Sequence, residues 1–312
     1  MISTDTVIVY HADCIDGYTA AWVATFEYSN AVLFPAYYGA WDKILAEIRK
    51  HHSAVIVDFS LPIEKLAELE KDPGSSKHIM IIDHHKSAAE KYFPYAKLGT
   101  IDNFWALVHT ATIFIDQNES GATLANKLLN YAEYPKTNSF LDTVKDYDLW
   151  TFKLPHTKEI HMYLRTQEKS LDNWTRIALA FLEEDDEYRS IIAQGTAILA
   201  YHNSIVERLV TGNWPVVIKG IKGLAVNCSA AFSSDVGNAL AKLSGTYGLT
   251  FQLKKQDELI CSLRSIGDSC DVAKLAESLG GGGHKNAAGF SLSLKELLQW
   301  HNTNTSHKLE LI

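Results

Sequence analysis

The sequence predicts an α/β protein with two unequal domains, the first built on a mainly parallel sheet and the second a smaller α/β unit. Three observations favour this class. Short apolar runs alternate with segments of helical spacing in the first half of the chain. A long helical pattern without proline follows, from about 183 to 210. Beyond it, the composition becomes strand-rich again.

The first half alternates between strand-like and helix-like hydrophobic periods. Apolar runs of strand length cover 6–11, 54–60 and 78–85. Segments with helical spacing cover 16–28, 62–72, 120–134 and 138–149. Parallel strands joined by helices bring their carboxyl ends to one edge of the sheet, where ligands collect. The polar residues that follow each strand are therefore the first candidates for a functional site.

Length and charge limit the organisation and the partners of the chain. With 312 residues and 46% hydrophobic content, it can bury more than one core. We predict an N-terminal metal-binding domain over 1–182, a linker helix over 183–211 and a substrate-binding domain over 212–312. The net charge of −8 argues against a binder of long nucleic acid. A short anionic substrate is compatible with it, because cations held by carboxylates reverse the local field.

Cysteine usage and the N-terminal sequence indicate a reducing, aqueous compartment. The four cysteines are scattered and form no CxxC pair, so neither a disulfide framework nor a zinc finger is predicted. The first residues, "MISTDTVIVYHADC", lack the basic and long apolar regions of a signal peptide. No run of about 18 apolar residues is present. We expect a soluble, cytoplasmic protein that has no membrane partner.

Acidic and histidine side chains follow every predicted strand of the first half, and a helical segment adds more. They are His11, Asp13, Asp16, Asp58, Asp83, His84, His85, Asp142, Asp146 and Asp148. Taken singly, each residue fits a helix cap or a hydrogen-bonded core histidine. Taken together, carboxylates that converge at strand ends repel one another unless cations hold them.

This mixture of carboxylates and imidazoles predicts a centre for two divalent metal ions. It suits Mn²⁺, with Mg²⁺ or Co²⁺ as substitutes, better than zinc, which more usually takes sulfur or a smaller ligand set. About six ligands are too many for one catalytic ion that keeps open positions. They suffice for two ions that share a bridging carboxylate.

A second motif, "LGGGGHKNAAGF" at 279–290, lies near the C-terminus. Successive glycines let backbone N–H groups approach an anion closely. His284 and Lys285 add hydrogen-bonding or positive groups. A flexible linker is the alternative reading, but linkers rarely run directly into a strand such as "FSLSL".

The "DHH" after an apolar strand, followed about 200 residues later by "GGGH…AAGF", resembles the DHH–DHHA1 phosphoesterase family. That family includes RecJ-type exonucleases, nanoRNases and cyclic-dinucleotide phosphodiesterases. The resemblance covers nearly the whole chain. It implies a DHH domain that holds two manganese ions, a linker helix and a DHHA1 domain that closes over the ions.

The resemblance also implies roles for individual residues. The implied metal ligands are His11, Asp13, Asp16, Asp58, His84 and Asp146, with Asp58 as the bridge. His85 would face the substrate phosphate or assist the leaving group, and Asp83 would orient a histidine. The implied substrate contacts are His85, Lys86, Arg264, Gly281, Gly282, Gly283 and His284.

Two departures from the family pattern concern the site: the first motif, and Lys86, which follows the histidine pair where many relatives have arginine. Many relatives have Asp-x-Asp in the first motif, whereas "HADCIDG" places Cys14 where the first aspartate falls when the motifs are aligned on "DG". Either Asp13 substitutes through a changed turn, or Cys14 is a soft ligand, or one ion binds weakly. In "DYDLW", both Asp146 and Asp148 are available, and Asp146 is preferred.

The expected function is a Mn²⁺-dependent phosphodiesterase. We expect it to hydrolyse short oligonucleotides or linear dinucleotides to mononucleotides with water activated by two metal ions, and cyclic dinucleotides are a further candidate substrate. The alternatives are a pyrophosphatase or phosphomonoesterase of the same superfamily and a non-catalytic nucleotide-binding module. The resemblance makes a homodimer plausible.

Overall fold

The computed structural model describes residues 5–72, 78–129, 138–183, 185–255, 257–293, 295–296 and 309–311. The chain divides into two compact units, Met1–Leu199 and Ala200–Ile312, and each contains one sheet. The predicted fold class is confirmed, because the first sheet is mainly parallel and the second unit is a smaller α/β arrangement.

The first unit is built on a sheet to which the described residues contribute seven strands. They are β1 (Thr6–His11), β2 (Val32–Ala36), β3 (Ser53–Val57), β4 (His78–Asp83), β5 (Ala96–Thr100), β6 (Asn103–Val108) and β7 (Ala111–Asp116). Their order is β2-β1-β3-β4-β7-β6-β5. The five strands from β2 to β7 in this order are parallel, and β6 and β5 extend the sheet in antiparallel fashion.

Helices cover both faces of this sheet. The described helices up to the end of the first unit are α1 (Ile15–Glu27), α2 (Trp41–Ile48), α3 (Ile63–Lys71), α4 (Lys86–Tyr92), α5 (Gly121–Leu129), α6 (Asn138–Asp148), α7 (Thr157–Leu164), α8 (Leu171–Glu183) and α9 (Asp186–Thr211), of which α9 continues into the second unit. Alternate residues of β1 enter different cores: Val7 and Val9 pack in one apolar cluster, and Ile8 and Tyr10 in another. A strand that is buried on both faces reads as the continuous apolar run seen in the sequence.

Several predicted boundaries shift in the structure. The strand predicted over 54–60 ends at Val57, because Asp58 adopts a left-handed backbone conformation with φ of 52°. The strand predicted over 78–85 ends at Asp83. The helix predicted over 120–134 is described as α5 up to Leu129, and positions 130–134 lie outside the described residues.

The second unit contains a mixed sheet, against which its described residues place the helices α10 (Ser233–Ser244) and α11 (Val272–Glu277). Its strands are β8 (Trp214–Ile218), β9 (Ile221–Asn227), β10 (Tyr247–Lys255), β11 (Glu258–Ser265), β12 (Gly282–His284), β13 (Ala287–Ser293) and β14 (Leu309–Leu311). The order is β12-β13-β11-β10-β9-β8-β14, and among the described strands of this sheet only β9 and β10 pair in parallel. Throughout the part of the chain that is described, no helix combines the length and apolar content needed to cross a bilayer.

Candidate metal centre

The carboxyl ends of three neighbouring strands bring the predicted ligands together. Tyr10 of β1 pairs with Val57 of β3, and Val57 pairs with Ile82 of β4. The residues that follow, His11, Asp58 and Asp83, therefore stand in a row at one edge of the sheet. The backbone N–H of Asp58 donates to the carbonyl of Ile82 at 2.9 Å, which fixes the turn after β3.

Two glycines allow helices to approach this edge closely. A Cβ atom on Gly17 of α1 would lie 2.5 Å from the carbonyl oxygen of His11 and 3.0 Å from Oδ2 of Asp58. A Cβ atom on Gly121, the first residue of α5, would lie 2.5 Å from the Cβ of Asp58. Both positions therefore require glycine, which explains the "DG" of the first motif and the "SG" that opens α5.

Asp16 is buried and connects the two helices. Its carboxylate accepts hydrogen bonds from the backbone N–H groups of Gly121 at 2.6 Å and Ala122 at 3.0 Å. These donors belong to the N-terminus of α5, which favours negative charge. Nevertheless, burial raises the pKa of Asp16 well above its ordinary value, and the carboxylates of Asp148 and Asp58 raise it further.

Asp58 lies at the centre of the cluster, with a side chain that is only 1% exposed. Its Oδ1 is 3.1 Å from Nε2 of His84 and 3.8 Å from Nδ1 of His85, and its Oδ2 is 3.5 Å from Nδ1 of His11. Burial alone would raise the pKa of Asp58, but the histidines lower it well below its ordinary value. The two oxygens of this ionised carboxylate thus face different histidines.

His84 joins Asp58 to two further carboxylates. Its Nε2 lies 3.4 Å from Oδ2 of Asp148 and 3.7 Å from Oδ2 of Asp16. Burial raises the pKa of Asp148, and the negative charge of Asp58 raises it further. Three carboxylates around one ring nitrogen repel each other, and a divalent cation would remove that repulsion.

Asp83 holds the His85 ring and the backbone after β4 in place by accepting hydrogen bonds. It accepts hydrogen bonds from Ser60 Oγ at 2.5 Å, from the backbone N–H of His84 at 2.8 Å and from Nδ1 of His85 at 2.6 Å. Burial would raise the pKa of Asp83, but the charge of His85 and its hydrogen bond lower it to about 2. Conversely, burial would lower the pKa of His85, and Asp83 raises it to about 9.

The donor atoms fit bound cations. Three groups each place one potential ligand atom per residue within 4.8 Å of the others: Asp58, Asp83, His84 and His85; His11, Cys14 and Asp58; and Asp16, His84 and Asp148. Nδ1 of His11 and Oδ2 of Asp58 are buried and have no hydrogen-bond partner among the described residues. Buried polar atoms without partners are costly, and a cation between them would satisfy both.

Asp13 lies outside this cluster, contrary to the ligand set that the resemblance implied. It is exposed, has a left-handed φ of 55°, and accepts a hydrogen bond from the Tyr37 hydroxyl at 3.1 Å. Cys14 occupies the place beside His11 and Asp58 instead. Burial raises the pKa of the Cys14 thiol well above its ordinary value, and the nearby Asp58 carboxylate raises it further.

Asp146 also differs from the expectation, and Asp148 takes its place. Asp146 is 5% exposed and accepts hydrogen bonds from the backbone N–H groups of Lys153 at 2.8 Å and Leu154 at 3.0 Å. It also accepts from the hydroxyl of Thr157 at 2.6 Å and from that of Thr151. Three of these donors lie in the segment that follows α6, and Thr157 is the first residue of α7, so the carboxylate stabilises the connection between the two helices. Residues two apart on a helix are rotated by about 200° and face different neighbours.

The predicted substrate contacts are divided between the two units. His85 is 24% exposed beside the cluster, and Lys86 begins α4 with its Nζ 3.7 Å from Glu90. In the second unit, Arg264 and His284 both pair with Ala287, so the register places them on one face of the sheet. Arg264 donates to Ser234 Oγ at 3.0 Å and to the carbonyl of Leu263 at 2.9 Å.

The glycines of the C-terminal motif form the edge of the second sheet. Gly282 and Gly283 lie in β12, which pairs with β13. A Cβ atom on Gly281 would lie 2.1 Å from the carbonyl oxygen of Gly289, and one on Gly283 would lie 2.5 Å from the Cα of Ala288. At these two positions, close backbone approach explains the glycines, while Gly282 has open space beside it.

Two tyrosines at the cluster were not predicted from the sequence. Tyr37 and Tyr38 follow β2, whose last residue, Ala36, pairs with His11. The Tyr38 side chain is 51% exposed, and its ring centre lies 5.4 Å from that of His11 and 4.3 Å from that of Phe59. The short strand β2 contains a proline and carries no strong signal, so nothing in the sequence placed these rings near the first motif.

The chain is similar in sequence to two known proteins and in structure to a third. No protein-family model matches the chain. The uncharacterized protein R106 of Acanthamoeba polyphaga mimivirus is 27% identical over an alignment of 326 positions, which covers 98% of this chain and 72% of R106. The oligoribonuclease NrnB of Bacillus subtilis (strain 168) is 23% identical over an alignment of 268 positions, which covers 79% of this chain and 61% of NrnB, so the chain spans less than two thirds of that protein. The RecJ structure with Mn²⁺ from Thermus thermophilus is 16% identical, with a TM-score of 0.49 over 93% of this chain and 50% of RecJ.

Proposed function

We propose, from the resemblance to the DHH phosphoesterases and the similarity to the oligoribonuclease NrnB, that this chain is a metal-dependent phosphodiesterase. Its proposed substrates are short oligonucleotides and linear dinucleotides, which it would cleave to mononucleotides. The observation that carries the proposal is the position of Asp58, whose two oxygens face His11 on one side and His84 on the other. An ionised carboxylate so placed suits a bridge between two cations.

The proposed ions are two Mn²⁺, with Mg²⁺ or Co²⁺ as substitutes, because the ligand atoms are mainly carboxylate oxygens and imidazole nitrogens. His11 and Asp58 would hold one ion. Asp58, Asp16, His84 and Asp148 would hold the other. When bound, such ions supply positive charge to a phosphoryl group and lower the pKa of water.

His85 is the proposed contact to the substrate phosphate. Asp83 holds its Nδ1, so Nε2 is the ring nitrogen available to a ligand. Burial would lower the pKa of His85, but Asp83 raises it to about 9 in the metal-free chain, which favours the protonated ring. A protonated imidazole can donate to a phosphate oxygen and can give its proton to the departing oxygen.

Three features support a short nucleic-acid substrate. The name of NrnB describes an oligoribonuclease, and this chain is similar to it over 79% of its length. Tyr38 presents a half-exposed ring beside His11, and such rings stack on nucleobases without sequence preference. The acidic net charge of −8 is also more compatible with a small anion than with a long polyanion.

A substrate panel tests the proposal. The purified chain would be incubated with Mn²⁺ and, separately, the dinucleotide pGpG, a five-residue RNA, a cyclic dinucleotide, pyrophosphate and a phosphomonoester. Asp58→Ala removes the proposed bridge, and Asp72→Ala is the control because Asp72 pairs with Arg49 away from the cluster. We expect pGpG cleavage that is lost only in Asp58→Ala. Hydrolysis of pyrophosphate alone would reassign the activity, and no turnover of any substrate would refute it.

A further inference from the structure

Cys14 holds a position beside the metal centre that the family pattern gives to an aspartate. It precedes α1, in extended backbone conformation, and its side chain makes no helix-capping hydrogen bond. Its sulfur, a nitrogen of His11 and an oxygen of Asp58 all lie within 4.8 Å of one another. Imidazole, thiolate and carboxylate together form a familiar ligand set for divalent transition metals.

A second observation indicates that these three side chains face a cation. Asp58 is 1% exposed, yet its Oδ2 has no hydrogen-bond partner among the described residues. The buried Nδ1 of His11, 3.5 Å away, also lacks one. An ion at this point would satisfy both atoms and would lie within reach of the Cys14 sulfur.

The local backbone explains why cysteine, rather than the neighbouring aspartate, reaches the centre. Asp13 has a left-handed φ of 55°, and its carboxylate accepts from the Tyr37 hydroxyl. The turn then brings Cys14 to the position directly before α1, beside His11 and Asp58.

We propose that Cys14 is a thiolate ligand of the ion held by His11 and Asp58, so that this position binds thiophilic divalent cations such as Zn²⁺, Co²⁺ or Cd²⁺ more tightly, relative to Mn²⁺, than an oxygen ligand in place of Cys14 would allow. The inference rests on the metal centre of the proposed function. On binding, the S–H bond breaks, the proton passes to solvent, and the sulfur lone pair forms the bond to the ion. The two positions of the centre would then differ in metal preference, since the groups around His84 contribute only oxygen and nitrogen.

Co²⁺ spectroscopy of the full chain tests the assignment independently of turnover. A sulfur ligand gives a thiolate-to-cobalt charge-transfer absorption in the near ultraviolet, and bound cobalt is counted by elemental analysis. We expect the absorption in the wild-type protein and its loss in Cys14→Ser. Cys228→Ser is the matched control, since Cys228 is a buried cysteine of the second unit and should leave the absorption unchanged.

A second variant tests metal preference. Cys14→Asp supplies an oxygen in place of sulfur, and we expect the ratio of Zn²⁺ to Mn²⁺ affinity to fall at least about tenfold, the size of effect seen even for groups outside the ligand shell. Circular dichroism melting would confirm that each variant folds. An unchanged ratio in Cys14→Asp would overturn the inference.

The spectra also separate this inference from the proposed function. Cobalt bound to the wild-type protein without the charge-transfer absorption, or an absorption retained in Cys14→Ser, would overturn the cysteine assignment even if pGpG is cleaved. The absorption in a protein that cleaves no phosphodiester would support the cysteine assignment and refute the proposed function.

Discussion

Asp146 and Asp148 are two residues apart, but their carboxylates lie in different surroundings. The Asp146 carboxylate accepts four hydrogen bonds from the segment after α6 and the first residue of α7, whereas Asp148 lies 3.4 Å from His84 in the cluster. We predict that Asp146→Asn lowers stability and that Asp148→Asn lowers activity. Each variant is the control for the other, since both remove one charge from the same segment.

The expected stability loss follows from the hydrogen bonds of Asp146. Burial would raise its pKa, but the four donors hold it at about 2, below the ordinary 3.8. A carboxylate whose pKa falls by that amount on folding contributes about 2 kcal/mol at neutral pH. In Asp146→Asn, an amide N–H₂ would also face the donors of Lys153 and Leu154. We therefore expect the free energy of unfolding, measured in urea, to fall by about 2 kcal/mol with an unchanged m-value.

The pH dependence of the unfolding free energy tests whether the ionised form of Asp146 is the stabilising one. Because folding lowers the pKa of Asp146, its stabilising contribution is present above about pH 4 and is lost as the pH falls towards 2. The difference in unfolding free energy between wild type and Asp146→Asn should therefore shrink on acidification. A constant difference down to pH 2 would contradict the role of the ionised carboxylate.

Asp148→Asn should behave differently. Burial and Asp58 raise the pKa of Asp148, so its negative charge opposes folding in the absence of cations. We expect unchanged or slightly higher stability without metal and a loss of Mn²⁺-dependent pGpG hydrolysis of at least about a hundredfold, as for other preorganised electrostatic groups. Full activity in Asp148→Asn, together with an inactive but stable Asp146→Asn, would refute this reasoning.

Three further predictions test the packing, the substrate contact and the metal. Gly121→Ala forces a Cβ atom to 2.5 Å from the Cβ of Asp58, and overpacking of this kind costs about 1–3 kcal/mol. Gly212→Ala, whose Cβ meets only ordinary contacts, should be neutral in the same urea titration, and equal stabilities would contradict the account. Tyr38→Ala should raise the KM for pGpG roughly fivefold to a hundredfold with little change in kcat, whereas the exposed Tyr95→Ala should not; an unchanged KM would argue against stacking. Mn²⁺ at 100 times its Kd should stabilise the chain by about 2.7 kcal/mol per site in thermal melts, and an equal gain in Asp58→Ala would exclude the cluster as the binding site.

The sequence pattern predicted three of the five parallel strands of the first sheet and the candidate ligand residues at the ends of those strands. Continuous apolar runs predicted β1, β3 and β4, because a strand buried on both faces has no polar alternation. Once these strands are parallel and adjacent, the positions of His11, Asp58 and His84 follow from the end of each run. The strands β5 and β6 were not predicted. Strand β5 is largely exposed, and β6 alternates buried and exposed residues, so neither forms a continuous apolar run.

Two choices between neighbouring candidate ligands depended on tertiary contacts, which a local sequence pattern does not contain. Asp13 and Cys14 are adjacent, and the left-handed turn at Asp13 decides which of them reaches His11. Asp146 and Asp148 differ only in helical phase, and the donors that hold Asp146 come from the following turn. Both outcomes arise from tertiary hydrogen bonds, so spacing alone left both alternatives open.

The most direct test of the central claim is a titration of metal-free protein with Mn²⁺ while pGpG cleavage is followed by chromatography. If Asp58 bridges two ions, the rate should rise until about two equivalents per chain are bound and then level off. Asp58→Ala should show no rise. Cleavage that persists in excess EDTA, or that saturates in the wild-type protein without bound metal, would contradict the account.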